Sequence, residues 1–257
     1  MARIFITGSS QGLGFLAGQL LIEQGHAVVL HARTEERAEE LRAKLTSCAA
    51  IAVGDVSTLE GMRSIADQVN ALGHFNAVIH NVALGDKESY VKTVDNFSQL
   101  FAVNVLAPYV LTALIKRPER LVYLSSGMHR SGNSALSDPQ WFNRPWNGTQ
   151  AYSDSKLFDL ILSMAVANRW HDVLVNAVDP GWAPTRMGGS SAPDDLIQAS
   201  TTQAWLAVSD DAAAKVSEGY FYHQKQCSMH ADADDVEVQN NVLHYLQTIT
   251  GIELDAQ

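Results

Sequence analysis

Short apolar runs alternate with longer amphipathic or charged segments from residue 3 to residue 249. Apolar runs of this kind, separated by segments of helical length, are typical of buried parallel strands, because parallel neighbours need a crossover connection. The alternation therefore predicts an α/β fold, a doubly wound parallel sheet with helices on both faces. The predicted strands are 3–7, 27–30, 50–53, 76–80, 120–124, 173–178 and 220–222; the first predicted helix ends near residue 24, and the others span 34–45, 58–72, 96–116, 151–170, 193–208 and 236–249.

A glycine-rich turn follows the first predicted strand. The segment from Thr7 to Gly14 has glycines at positions 8, 12 and 14, and an amphipathic helix comes next. Glycines let the backbone approach a pyrophosphate, and a helix N-terminus offers amide donors and a partial positive charge. Strand, turn and helix in this order predict a Rossmann-type dinucleotide site, although the spacing is Gly-x-x-x-Gly-x-Gly instead of Gly-x-Gly-x-x-Gly.

The end of the second predicted strand bears on the choice of dinucleotide. An acid there would accept from the 2′-hydroxyl of NAD, whereas an arginine accommodates the 2′-phosphate of NADP. Residues 30–33 contain no acid, but they include Arg33, and Arg37 follows one helical turn later. We expect NADP(H) to bind; the alternative is that Arg33 is only a solvent-facing loop charge.

Tyr152 and Lys156 lie four residues apart at the head of a predicted helix. On a helix, such positions share a face one turn apart. A free phenol has a pKa of about 10, and a neighbouring ammonium lowers it. The pair is a candidate general acid/base, although solvated surface pairs have the same spacing.

Polar residues also follow two other predicted strands and interrupt an apolar helix. Asp55 follows the third strand, where it could accept from an adenine amino group or cap the next helix. Asn104 lies on a strongly apolar helix and needs partners there. Ser125 and Ser126 end the fifth strand, where hydroxyls point into the ligand crevice of such sheets.

Two irregular segments follow these motifs. Residues 128–150 hold His129, Trp141, Phe142 and Trp146, which predicts an active-site insert that forms a substrate wall or lid; packing of the aromatics onto the body is an equal alternative. Residues 182–195 begin with Trp182 and are rich in Gly and Ser, which predicts a mobile substrate loop.

Composition argues against several classes of protein. The net charge is -10 and no basic run exists, so nucleic acid is not an expected partner. The histidines and the two cysteines show no metal-ligand spacing, with the role of His129 left open. No signal-peptide pattern or membrane-length apolar stretch is present, so we expect a cytoplasmic protein with no metal and no membrane partner.

Taken together, these residues resemble the classical short-chain dehydrogenase/reductase family over nearly the whole chain. The resemblance is closest to the retinol dehydrogenase and carbonyl reductase-like branch and to bacterial ketoreductases. The matching motifs, in family order, are Thr7-Gly8-x-x-x-Gly12-x-Gly14, Asp55-Val56, Asn81-Val82-Ala83, Asn104, Ser125-Ser126, Tyr152-x-x-x-Lys156 and Pro180-Gly181-x-x-x-Thr185.

The resemblance implies hydride transfer between a nicotinamide and a carbonyl or alcohol, within a single NAD(P)-binding catalytic domain spanning residues 1–257. Tyr152 would be the general acid in reduction, Lys156 would lower its pKa and hold the nicotinamide ribose, Ser126 would bind the substrate oxygen, and Asn104 would anchor a relay water. The implied cofactor contacts are Gly8, Ser10, Gln11, Gly12, Leu13, Gly14, Arg33, Asp55, Val56, Asn81, Ala83, Tyr152, Lys156, Pro180, Gly181 and Thr185, and the implied substrate contacts are Ser126, Met128, Trp146 and Trp182.

The chain departs from the family pattern at two places. Ala83 stands where the family has glycine, which adds a methyl group near the cofactor. The gap between Ser126 and Tyr152 is long, so the extra residues must loop out for the two side chains to meet; otherwise Ser125 is the next candidate.

The leading hypothesis is an NADPH-dependent carbonyl reductase acting on a small-molecule ketone or aldehyde, or on the alcohol in reverse. A non-catalytic NADP-binding sensor or scaffold is the alternative from another class, and an epimerase or dehydratase ranks below both. The resemblance also implies a homodimer or homotetramer paired through the helices that carry Asn104 and Tyr152, or a monomer. Leu160, Met164 and Trp170 are expected to be exposed apolar positions available for such packing.

Overall fold

An eight-stranded sheet in the order β3-β2-β1-β4-β5-β6-β7-β8 forms the centre of the computed structural model, which describes residues 1–87 and 89–254. Strands β1 to β7 pair in parallel and β8 pairs antiparallel with β7. The strands are β1 (Arg3–Ile6), β2 (Ala27–Ala32), β3 (Ala50–Val53), β4 (Ala77–His80), β5 (Arg120–Leu124), β6 (Leu174–Asp179), β7 (Gly219–Tyr222) and β8 (Lys225–Gln226). The helices are α1 (Gly12–Glu23), α2 (Glu35–Lys44), α3 (Leu59–Ala71), α4 (Gln99–Phe101), α5 (Ala107–Leu114), α6 (Gly148–Ala167), α7 (Leu196–Val208), α8 (Ala231–Asp234) and α9 (Val236–Thr250).

Alternating side chains of the strands build two separate hydrophobic layers. Ile4 and Ile6 of β1 point into a layer shared with α1, α2 and α7. Phe5, between them, points into the opposite layer, which α3, α5, α6 and α9 complete. Period-two alternation with apolar residues on both sides is expected of a parallel strand covered on both faces. The prediction of a doubly wound parallel sheet is confirmed.

Side-chain caps set the beginnings of several helices. The Thr34 hydroxyl accepts from the Arg37 amide at the start of α2, and the Thr58 hydroxyl accepts from the Gly61 amide at the start of α3. The Asn147 side chain accepts from the Gln150 amide, so α6 begins three residues before the predicted position 151. Such caps satisfy amides that the first helical turn leaves without partners.

The predicted helix 96–116 is shorter and is interrupted. It spans α4 and α5, which are joined by a π-helical segment, Ala102–Leu106, where the Ala107 amide bonds to the Ala102 carbonyl five residues earlier. Pro108 has no N–H and cannot give Asn104 its α-helical partner, which is the physical reason for the irregular turn at this point. In the π-helical segment, the position of Asn104 around the helix axis differs from its position in the regular helix that the sequence predicted.

The last quarter of the chain holds two elements that the sequence pattern did not predict, β8 and α8. Together with α9, α8 packs on α6 from the side opposite the sheet. The Asn168 side-chain nitrogen donates to the Gln239 side-chain oxygen at 2.7 Å, which fixes the end of α6 to α9. Just after the C-terminal end of α9, the Ile252 carbonyl accepts from the Tyr109 hydroxyl of α5 at 2.6 Å.

This packing overturns one expectation about the surface. Leu160, Met164 and Trp170 were expected to be exposed, but they are only 0%, 2% and 3% accessible. The sequence pattern pointed to an unpartnered face because the partner, α9, begins only at Val236, far along the chain from α6. No helix within the described residues is both long enough and apolar enough to span a bilayer.

Replacing Leu246 by alanine tests how much the α9 packing stabilises the protein. Leu246 lies on α9 and is 1% exposed in the core layer shared with α6. We expect Leu246→Ala to lower the free energy of unfolding by about 2–5 kcal/mol, because it removes buried methyl groups and leaves a cavity. Urea unfolding measures the change. Ile197→Ala, at a helix position that is 73% exposed, is the control and should change it by less than about 0.5 kcal/mol.

Candidate active site

The carboxyl ends of β1, β4, β5 and β6 meet along one edge of the sheet. The strand order reverses between β1 and β4, because β2 and β3 lie on one side of β1 and the later strands lie on the other. In open parallel sheets a crevice forms at this reversal, outside the carboxyl ends of the strands. Every motif singled out in the sequence lies on a turn or helix that starts at this edge.

The glycine turn after β1 has the conformation that only glycine adopts easily. Gly8 and Gly12 both have φ of 62°, in the left-handed region. A Cβ on Gly8 would lie 2.7 Å from the Val82 Cα, so a side chain there would collide with the loop after β4. Gln11 precedes α1 and makes no side-chain cap, so the first amides of α1 are left for another acceptor. These features fit a pyrophosphate at this helix N-terminus.

Thr7 and Asn81 lock the turn to the end of β4. The Thr7 hydroxyl accepts from the Asn81 amide at 2.9 Å and from the Val82 amide at 3.1 Å. The Asn81 side chain donates to the carbonyls of Thr7 and Gly8 at 3.0 and 3.1 Å. A Cβ on Gly14 would collide with the same Asn81 amide. Asn81 therefore holds the glycine turn in place, a role that the motif alone did not reveal.

His31 is a second anchor that sequence reasoning missed. Its Nδ1 accepts from the Gly8 amide at 2.9 Å, and its Nε2 lies 2.9 Å from the Gly54 carbonyl, to which it donates in this tautomer. Burial lowers the pKa of His31, which keeps the ring neutral and able to accept. The ring links the turns after β1 and β3. A histidine that ends a buried strand beside a glycine turn was the available signal.

The residues expected at the adenosine end lie where the sequence placed them. Arg33 follows β2 with an exposed side chain, and Val56 is buried after β3. The Asp55 carboxylate accepts from the Ser57 amide at 2.9 Å, whereas Thr58 caps α3. The alternative that Asp55 itself caps the helix is therefore wrong. The remaining implied contacts near the dinucleotide, Ser10, Leu13 and Ala83, are all partly exposed.

Ser126 and Tyr152 meet, because residues 128–150 loop out between them. The Ser126 side chain is close enough to the Tyr152 hydroxyl to lower the pKa of Tyr152. Burial is the larger influence and raises the pKa of Tyr152 above the ordinary phenol value. The net change in the Tyr152 pKa is thus an increase, whereas the lowering expected from Lys156 is a decrease. Ser125 is occupied elsewhere, because its hydroxyl donates to the Lys156 carbonyl at 2.8 Å.

Lys156 lies beneath Tyr152, with its Nζ 5.9 Å from the centre of the phenol ring. The ammonium donates to the Leu124 carbonyl at 2.5 Å and forms an ion pair with Asp159 at 3.7 Å. Burial lowers the pKa of Lys156 and Asp159 acts against that shift. Asp159 was missed in the sequence, although an acid three residues after a candidate lysine on one helix was visible.

Asn104 obtains its partners from the loop after β4 and from α6. Its side-chain oxygen accepts from the Leu84 amide at 2.8 Å, and its side-chain nitrogen donates to the Leu84 carbonyl and to the Ser155 hydroxyl, both at 3.0 Å. Ser155 in turn donates to the Tyr152 carbonyl at 2.8 Å. The Asn104 side chain thus fixes the backbone beside the candidate acid, and the implied water stays a prediction.

The insert packs onto the body through its aromatic side chains. Trp141 is buried in a small cluster with Leu100 and Ala151, and its Nε1 donates to Asp154 on α6 at 3.2 Å. Trp146 and Tyr152 both pack against this cluster. Trp141 thus holds the insert on the body, and the role of the insert as a substrate wall or lid stays a prediction.

The open question about His129 is answered by its partners. It is buried, its Nδ1 lies 2.7 Å from the Ser126 carbonyl, and its Nε2 accepts from the His230 amide at 3.2 Å. Both ring nitrogens are used by backbone groups, so His129 supports the segment that carries Ser126. Met128, beside it, is half-buried, and its amide donates to the Ser126 hydroxyl at 3.3 Å. Within residues 1–87 and 89–254, no group of three or more His, Cys, Asp or Glu side chains is arranged to hold a metal ion.

The loop after β6 presents Trp182 at the mouth of the crevice. Pro180 and Gly181 follow the strand, and Gly181 has φ of 80°. The Trp182 side chain is 56% exposed, and its Nε1 donates to the Gly188 carbonyl at 2.8 Å. The Thr185 hydroxyl accepts from the Gly188 amide at 3.1 Å. Its internal hydrogen bonds give the loop a defined conformation, and its mobility stays a prediction.

Comparison with known proteins agrees with this arrangement. The family model described as short chain dehydrogenase matches residues 2–196. An uncharacterized oxidoreductase of Emericella nidulans is 37% identical over 98% of both chains. The short-chain dehydrogenase chry4 of Gibberella zeae is 35% identical over 99% of both chains. Human retinol dehydrogenase 13 is 26% identical over 97% of this chain and 85% of its own.

Solved structures share the fold at lower identity. A crystal structure of an uncharacterized protein from Mycobacterium paratuberculosis aligns with a TM-score of 0.85 at 22% identity, covering 99% of this chain and 95% of that chain. The Pseudomonas aeruginosa RhlG/NADP complex aligns with a TM-score of 0.67 at 20% identity, covering 86% and 94%. The family model and the two relatives that are more than one third identical show that the chain belongs to the short-chain dehydrogenase family of oxidoreductases.

Proposed function

We propose that the protein is an NADPH-dependent oxidoreductase that reduces a ketone or aldehyde to an alcohol, or catalyses the reverse reaction. The observation that carries the proposal is that Ser126 lies close enough to Tyr152 to lower its pKa, with the Lys156 Nζ 5.9 Å from the centre of the phenol ring. Two hydroxyl donors this close, one after β5 and one on α6, would both donate to the oxygen of a bound carbonyl. The proposed catalytic domain comprises the whole chain, residues 1–257.

The turn after β1 fits the pyrophosphate of the cofactor because α1 has uncapped amides and Gly8 brings the backbone close. Arg33 would hold the 2′-phosphate, and Asp55 and Val56 would border the adenine. Asn81, Ala83 and the segment from Pro180 to Thr185 would border the nicotinamide half. Bound NADPH would supply the hydride for carbonyl reduction.

The side chains of the site divide the remaining work. Tyr152 donates its proton to the developing alkoxide, as a general acid. Ser126 donates a hydrogen bond to the same oxygen and stabilises its negative charge. Lys156 holds positive charge below the ring, and Asn104 with Ser155 fixes the turn of α6 on which Tyr152 lies. Trp146, Met128 and Trp182 are the proposed substrate contacts.

The direction of the Tyr152 pKa favours the reduction. Because burial raises this pKa, the phenol stays protonated at neutral pH and is ready to act as an acid. Alcohol oxidation needs the phenolate and would therefore require higher pH. A non-catalytic sensor would not need a proton donor, a second hydroxyl donor and a buried ammonium in one site, so we place that alternative second.

Tyr152→Phe is the first test. It removes the proton donor and leaves the ring, so we expect kcat for NADPH-dependent carbonyl reduction to fall at least about 100-fold, the usual scale of general acid catalysis. NADPH consumption at 340 nm, over a panel of ketones and aldehydes, measures it. Tyr90→Phe removes a phenol hydroxyl from another ring near Trp146 and is the matched control. Retained turnover in Tyr152→Phe, with wild-type NADPH affinity, would contradict the assignment.

Arg33→Ala tests the choice of cofactor. We expect the KM for NADPH to rise about tenfold or more and the KM for NADH to change little, because only NADPH carries the 2′-phosphate. Arg42→Ala removes an exposed arginine from the last turn of α2 and serves as the control for charge alone. Equal changes in both KM values would show that Arg33 does not bind the phosphate.

The packing of α9 also leads to a proposal about assembly. The faces of α5 and α6 that would pair in a family dimer are covered by α8 and α9 of the same chain. We expect a monomer of 28.0 kDa in solution, to be measured by light scattering during size-exclusion chromatography. A mass of two or four chains at micromolar concentration would mean that another surface pairs. The cytoplasmic location stays a prediction.

A further inference from the structure

A second charged group lies inside the protein behind the candidate active site. Asp159 is one helical turn beyond Lys156 on α6, and its Oδ2 is 3.7 Å from the lysine Nζ. The two side chains are 2% and 3% exposed, so neither charge is hydrated. The other carboxylate oxygen, Oδ1, has no hydrogen-bond partner among the residues that the structure describes. A buried carboxylate kept in such surroundings needs a physical reason.

The polar groups nearest to this pair on the neighbouring strands are neutral. The Thr112 hydroxyl on α5 lies 2.6 Å from the Tyr123 hydroxyl on β5 and 3.0 Å from Nε2 of His80 on β4. Burial lowers the pKa of His80 to about 3 and raises the pKa of Tyr123, so both are uncharged at neutral pH. Other titratable or charged groups on elements packed against α6 are Tyr109, Arg120, His129, Arg130, Asp179, Asp232, Asp234, Glu237, His244 and Tyr245.

We propose that the Asp159 carboxylate is the counter-ion that keeps Lys156 protonated beneath Tyr152, and that Asp159 is therefore a positioning residue for the reaction. Its catalytic consequence rests on the proposed function, but the ion pair itself does not. Among the residues that the structure describes, two acceptors face the ammonium, the neutral Leu124 carbonyl and the Asp159 carboxylate. Burial raises the pKa of Asp159 to about 7 and Lys156 acts against that rise, so each member of the pair favours the charged form of the other. A buried lysine with a neutral acceptor alone loses its proton easily, whereas an opposite charge at this distance retains it.

The sign of the effect on pH dependence follows from the two shifts. Asp159 raises the pKa of Lys156 and also raises the pKa of Tyr152. Both groups must carry their protons for carbonyl reduction. Asp159→Asn removes the charge and keeps the shape, so both pKa values fall. The loss of kcat on the alkaline side then begins at lower pH than in the wild type.

Asp154→Asn is the matched control. Asp154 lies on the same helix and is 1% exposed, like Asp159, but its partners belong to the insert. Its carboxylate pairs with Arg144 at 3.2 Å and accepts from Trp141 and Gln150. Neutralising it tests what the loss of any buried carboxylate on α6 does to the protein. We expect no change in the pH at which kcat is lost.

A direct measurement does not depend on turnover. The full chain is labelled with 13C at the lysine ε-carbons, and the Lys156 signal is assigned by its absence in Lys156→Met. Titration should show Lys156 as an ammonium at pH 7 in the wild type. In Asp159→Asn its midpoint should fall by about one pH unit or more, and in Asp154→Asn it should not move.

Each outcome decides something. A Lys156 that is already neutral at pH 7 in the wild type would overturn the proposal without any variant, even if Asp159→Asn failed to fold. An unchanged midpoint in a folded Asp159→Asn, or an equal fall in Asp154→Asn, would also overturn it. A lower midpoint with no turnover of any carbonyl in the wild type would support the ion pair and count against the proposed function instead.

Discussion

Complete burial of α6 is the constraint on which the site depends. Between Ser153 and Ala167 every side chain of this helix is inaccessible, because the sheet lies on one side and α8 and α9 lie on the other. A helix in this position is expected to be apolar all round. Instead it carries two aspartates, three serines and a lysine in that stretch. Each of these groups must find partners without water, and the partners fix the geometry of the site.

The partners come from elements that are distant in the sequence. Ser155 is held by Asn104 in the π-helical segment, Asp154 by the insert, and Lys156 by the end of β5. These contacts hold the residues that follow Tyr152 on α6. Leaving one of these buried polar groups without a partner costs about 1–3 kcal/mol. Arrangements of these side chains that break the hydrogen bonds are therefore less stable than the observed one. The contacts that fix the geometry of the site are therefore also contacts that stabilise the fold.

Local patterns predicted most of the fold because each parallel strand is a short apolar run and each helix has a cap or a glycine near its end. Thr34, Thr58 and Gly25 are signals of this kind, and the elements they border lie within a few residues of the predicted positions. Crossover connections between parallel strands bring the carboxyl ends of those strands to one edge of the sheet, whatever the strand order is. That is why the residues of the crevice could be named from the sequence.

Most of the errors have their physical origin in contacts between distant segments, and one has a local origin. The sequence predicted an exposed face on α6 because α9, which covers that face, is amphipathic and its sequence does not indicate on which element it packs. The helix carrying Asn104 looked regular, although Pro108 four residues later already forbade the α-helical bond to the Asn104 carbonyl. His31 and His129 looked ordinary because a histidine that binds backbone groups has no motif.

The Tyr152 pKa shows why motif and environment have to be read together. The spacing of Tyr152 and Lys156 predicts a lowered phenol pKa, and that argument assumes a hydrated site in which the ammonium acts alone. In the folded chain, burial opposes ionisation of the phenol, and Asp179, Asp86 and Asp159 add negative charge that acts in the same direction. The ammonium is itself neutralised by Asp159, so its field at the phenol is weaker than that of an unpaired lysine. α6 thus carries both the Lys156 ammonium and the Asp159 carboxylate that offsets its charge. The phenol stays protonated, which is the form that carbonyl reduction needs.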